Sequence, residues 1–166
     1  QNPTLNPTFQ LLEPPLLSSC EFSDDGSFFR IVFDTDTDQG NLKRSHRCVD
    51  LFSFPGVDNA LCVWINQRTV TVYPSGNGLQ TSSSQPEVGG GIVLRSSTLR
   101  AICPSLASPA ECKKWQTSDG VSCVLETPSN PVSPTLAISA PSVLSACKSY
   151  LLDLTASSGS GGREWA

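Results

Sequence analysis

The sequence predicts an all-β protein, and three observations carry that reading. Thirteen prolines and twelve glycines interrupt nearly every stretch of the 166 residues, which is hostile to long helices. Between them, apolar residues alternate with period two. About seven such short segments lie in residues 15–126 with turn signals between them, the pattern of an antiparallel, immunoglobulin-like β-sandwich.

The first segment is 15–23, PLLSSCEFS, which sets Leu16, Ser18, Cys20 and Phe22 on one face. The turn Ser23–Gly26 contains the Asp-Gly pair favoured in tight hairpins. The return segment, 27–34, places Phe29, Ile31 and Phe33 together, with Arg30 and Asp34 opposite. A polar loop over 35–47 precedes three further strands, at 48–54, 60–65 and 68–73. In the last of these Val70 and Val72 face inward while Thr69 and Thr71 face out. Residues 74–90 read as an exposed loop, and 91–95 and 121–126 complete the strands. Ser108 followed by Pro109 is an N-cap with proline at the first helical position, so one short helix starts there.

Residues 1–14 read as an extended arm. Residues 127–135, TPSNPVSPT, hold three prolines and form a linker. Residues 136–166 contain only two strand candidates, at 136–139 and 150–155. Two strands do not support a core of their own. The segment is therefore a partial second β module.

Charged residues make up 16% of the chain, against roughly a quarter in an average domain. The net charge of −4 argues against nucleic acid as a partner, since phosphate contacts need an excess of clustered Lys and Arg. No stretch reaches the ~18–20 apolar residues of a membrane span. The start lacks the basic and apolar regions of a signal peptide, and the missing initiator methionine implies a mature chain or an excised piece.

Seven cysteines without C-x-x-C or C-x-x-H spacing favour disulfides, and with them an extracellular location. Sequence alone leaves many connectivities open, but strand placement ranks them. Cys48 and Cys62 lie on consecutive strands, Cys103 and Cys112 flank a short loop, and Cys20 with Cys123 ties the first strand to the last. That leaves Cys147 unpaired, or bonded outside the chain.

Other chemistry is sparse. Asp34, Asp36 and Asp38 resemble the opening of a calcium loop, but the glycine comes one position late and Ser45 stands where the bidentate glutamate belongs. Calcium is thus a minor expectation, and no other cofactor is implied. His46 has no nucleophile in a recognisable setting and reads as an exposed histidine of the basic run Lys43, Arg44, His46, Arg47. That run is a solvated face, or a contact for an acidic glycan or neighbouring subunit. Trp64 and Trp115 read as packing residues. The prolines after Asn2, Asn6 and Asn130 block N-glycosylation, whereas 81–86 and 127–135 have the composition of O-glycan carriers. No residues meet the joint requirement for nucleophile, base and orienting group, so an enzyme is not expected.

Three stretches carry a family resemblance: P-S-N-P-x-S-P-T (128–135), S-A-P-S-V-L-S-A-C (139–147) and L-x-L-T-A-S-S-G-S-G-G-R (152–163). Together they resemble the start of the REJ (receptor for egg jelly) module of polycystin-1-like cell-surface proteins. Thr155 stands near that family's usual Asp. F-S-D-D-G-S…I-V-F-D (22–34) and Cys48 with C-V-W (62–64) are similar to sandwich repeats beside such modules in protist and algal surface proteins. The resemblance implies an extracellular, modular, disulfide-bonded β protein without catalysis. Its expected partners are further copies in an oligomer or filament, or neighbouring modules of a longer chain. The tail would add strands to a neighbour's open sheet edge. A glycan-binding or calcium-dependent adhesin is the alternative.

Overall fold

The computed structural model describes residues 12–74, 85–105, 107–141, 143, 149 and 151–159. Its body is all-β. Strands β1 (Leu17–Phe22) and β2 (Phe29–Phe33) form the first hairpin, and β3 (Ser45–Arg47) and β4 (Phe52–Ser53) follow. Then come β5 (Leu61–Trp64), β6 (Thr69–Tyr73), β7 (Gly91–Leu94) and β8 (Ser122–Glu126). The eight strands form one curled sheet in the order β3-β5-β6-β2-β1-β8-β7-β4, rather than two separate antiparallel layers. Every pairing is antiparallel except β1 with β8, which is parallel through Cys20–Leu125 and Glu21–Glu126. The two edge strands, β3 and β4, are consecutive in the chain, joined by a 3-10 turn at Cys48–Asp50.

The core fills the concave side. Phe29, Ile31, Val70, Val72, Cys62, Trp64, Ile92, Leu94 and Leu125 all point there and are at most 2% exposed. Phe29 meets Phe22 and Phe54 edge-on, with ring centroids 5.7 and 5.5 Å away. Period-two burial along β2, β5 and β7 produces this side directly.

Several sequence expectations shift for local reasons. A bulge between Leu17 and Ser19 breaks the alternation in β1. Leu17 consequently packs against the core and Leu16 is left exposed. The first hairpin closes with the Ser23 N–H donating to the Phe28 carbonyl, which leaves a four-residue loop where Gly26 takes a φ of +72°. The expected strand at 48–54 is mostly the turn between the two sheet edges. Its buried positions, Cys48, Leu51, Phe52 and Phe54, do not alternate.

The short helix α1 (Pro109–Cys112) starts where Ser108 and Pro109 predict, with a reciprocal Ser108–Glu111 capping box. It packs in a small second cluster of Ala101, Ala107, Cys112 and Trp115.

Beyond β8 the chain changes character. The Ser129 N–H and hydroxyl both donate to the Glu21 carboxylate, and the Val132 N–H donates to the Asp24 carbonyl. The linker is thus laid against the end of the first hairpin. After it, backbone bridges join Thr135 to Ser158 and Ser139 to Asp153 as a two-stranded ribbon. Gly159 takes a φ of +85° there, and a Cβ would lie 2.9 Å from Pro134 Cα, so only glycine fits this approach. No described residue after Leu125 is buried.

Candidate interaction surfaces

The residue types singled out for chemistry do not converge. The Asp34 carboxylate accepts from the Leu16 N–H, and Asp36 pairs with Arg68. Asp38 accepts from the N–H groups of Gly40 and Arg100. Each carboxylate fastens a different neighbour. Among the described residues no three His, Cys, Asp or Glu side chains are grouped to hold a metal ion. The calcium-loop resemblance of 34–38 is therefore one of spacing without geometry.

His46 is not an exposed member of a basic run. It is the inward residue of β3, 9% exposed, with its ring stacked 6.3 Å from that of Trp64. Its Nδ1–H donates to the Lys43 carbonyl at 3.2 Å. Burial lowers its pKa below the usual imidazole value, outweighing the opposite pull of that hydrogen bond and of Asp50. Strand alternation thus divides the basic run: Ser45 and Arg47 face out while His46 faces in. Arg44 donates to the Trp64 carbonyl.

Among the described residues three disulfides are present: Cys20–Cys123, Cys48–Cys62 and Cys103–Cys112. They join the cysteines that strand placement ranks together. Cys147 lies outside the described residues, as do residues 1–11 and most of the 74–90 loop. Trp64 is 2% exposed and stacks on Phe33, and Trp115 is 7% exposed in the cluster beside α1.

The most unusual surface is the convex side of the sheet. An antiparallel strand with one solvated face normally alternates apolar and polar residues. In β5 and its extension both parities are apolar: Cys62 and Trp64 face the core, while Leu61, Val63 and Ile65 face out. Leu61 is 46%, Ile65 51% and Tyr73 43% exposed. The registers align Leu61 with Tyr73, and Val63 with Thr71 and then Arg30. Phe28 lies against Tyr73 with ring centroids 5.7 Å apart, and the Arg30 guanidinium sits over its ring. Sequence reasoning missed this face. Its signal was the unbroken apolar run LCVWI, which marks a strand covered on both sides.

The same face continues into a groove of about 570 Å³ floored by Ser19, Glu21, Arg30 and Val32 and walled by Ser129 and Val132 of the linker. At its mouth the Asp25 carboxylate is pulled down to a pKa of about 2 by the Ser27 N–H and the hydroxyls of Ser23 and Ser27.

The tail ribbon is the second apolar surface. Extending the Ser139–Asp153 bridge by strand alternation puts Leu136, Ile138, Leu152 and Leu154 on one side. The first three are 57–58% exposed. The described residues contain no helix long and apolar enough to cross a membrane. Compared with family models, curated proteins and solved structures, the chain matches none.

Proposed function

We propose that the chain is a non-enzymatic extracellular structural module, of REJ-like type, that self-associates through its tail. The observation that carries this reading is the ribbon formed by residues 135–139 and 153–158. It leaves Leu136, Ile138 and Leu152 more than half exposed although the body supplies a closed core. A two-stranded ribbon is marginal alone in water, so a partner supplies the missing layer. Three disulfides in a β-rich body support an oxidising, extracellular setting. The sheet edges, β3 and β4, offer only three and two residues for strand addition, whereas the two arms of the ribbon pair with no further strand among the described residues.

The test compares the full chain with a version ending at residue 134 by sedimentation velocity and negative-stain imaging. The full chain is expected to form concentration-dependent oligomers or filaments, and the shortened one to remain a folded monomer. A full chain that stays monomeric at high micromolar concentration, under non-reducing conditions, would overturn the reading.

A further inference from the structure

The ribbon needs a surface to cover it, and the chain displays one of matching kind. We propose that the apolar side of one chain's tail ribbon packs on the convex sheet face of a second copy, around Leu61, Ile65, Tyr73 and Phe28. This rests on the self-association reading and names its acceptor.

Both surfaces are β-structure carrying exposed branched and aromatic side chains, the components of face-to-face sheet packing at about 10 Å separation. A chain's own ribbon leaves both surfaces open. It is held at the hairpin end by the Ser129–Glu21 and Val132–Asp24 hydrogen bonds, and its leucines and Leu61 remain exposed together. Docking the sheet face on its own copy would set the outward Arg30 and Arg47 of each chain into a like-charged, desolvated contact. Ribbon on ribbon would bring together only four side chains from each copy. Ribbon on sheet avoids both problems. The ribbon's apolar side carries no charge, because Asp153 alternates onto its other side.

A contact confined to one side of the ribbon belongs to the small, reversible class of interfaces. Each copy then carries one donor and one acceptor, so the contact is head-to-tail and propagates unless a ring closes.

Two variants test this. Leu61→Lys with Tyr73→Lys removes the acceptor at exposed positions, and Ile138→Asp with Leu152→Asp removes the donor. Sedimentation velocity at tens of micromolar should show oligomers for the unaltered chain and monomers for each variant alone. Their equimolar mixture should give a dimer that does not grow. An acceptor variant that associates like the unaltered chain places the seat elsewhere and overturns this proposal while self-association stands. Monomeric variants whose mixture also stays monomeric overturn it as well. A donor variant that still associates, or an unaltered chain that never does, removes both readings. Near-UV circular dichroism and intact mass check the fold and the disulfides. Ile65→Lys, at a position 51% exposed, repeats the acceptor arm if the double variant loses its native signal.

Discussion

His46 and Trp64 show how a single residue's setting depends on parity. Both lie inward on paired strands, and the His46 Nε2 and Trp64 Nε1 atoms are buried without a hydrogen-bond partner among the described residues. Burial disfavours the charged imidazolium, so the folded pKa lies below the unfolded one. Between those two values the unfolded chain binds the extra proton. The contribution of neutral His46 is therefore present above the unfolded value near 6.5 and is lost as pH falls through the folded one. Urea midpoints should decline as pH is lowered through this window, and His46→Phe should flatten that decline. An unchanged slope in the variant would show that His46 does not carry it. The sequence reading placed this histidine in solvent because its neighbours Lys43, Arg44 and Arg47 are charged. A three-residue strand leaves one inward position, too little to register as periodicity.

At the scale of elements, the linker is fastened rather than free. Glu21 on β1 is held below the usual carboxylate range first by the Ser129 hydroxyl and then by the Ser129 N–H, with Arg30 contributing charge. A depressed carboxylate pKa means that docking is fully favoured above the unfolded value and is lost as pH falls through the folded one. The Ser129 amide proton shift should therefore titrate with a midpoint below that of an ordinary glutamate. Glu21→Gln should abolish the titration and speed exchange at Ser129, leaving the unfolding midpoint of the body nearly unchanged. Strands with clear alternation, such as β2 and β7, were legible in sequence because one side of each faces the core. In β6, Thr71, expected to face out, is 3% exposed between Val63 and Arg30. The Cys48–Asp50 turn and the β1 bulge were not legible. Both depend on how the strands are placed in the assembled sheet, the turn joining its two edge strands and the bulge shifting the β1–β2 register. Ser108, Pro109 and Glu111 specify the start of α1 locally, through the cap, and so were readable without tertiary context.

For the whole molecule, the strands nearest the two ends of the body, β1 and β8, lie side by side in parallel. Nothing in the periodicity of either segment signals a parallel pair, because the direction of pairing is decided by the path of the intervening chain. The ladder between them is only two residue pairs long, and the Cys20–Cys123 disulfide spans the same junction with a sequence separation of 103. Cys48–Cys62 and Cys103–Cys112 have separations of only 14 and 9. In the chain-entropy account, a disulfide stabilises by restricting the unfolded state, and the effect grows slowly with loop length. Removing Cys20–Cys123 with paired alanines should cost about 4–5 kcal/mol, against about 3 kcal/mol for a loop the size of Cys48–Cys62. Cys103–Cys112 should cost less and act locally on the cluster around Trp115. Urea denaturation of the three paired variants, with the slope recorded alongside the midpoint, checks the order. If the outer pair were the least costly, the curled sheet would be held shut by its core alone. With the predicted order, the body instead depends on the bond that joins its first strand to its last, and the tail that follows Glu126 begins from a covalently fixed point.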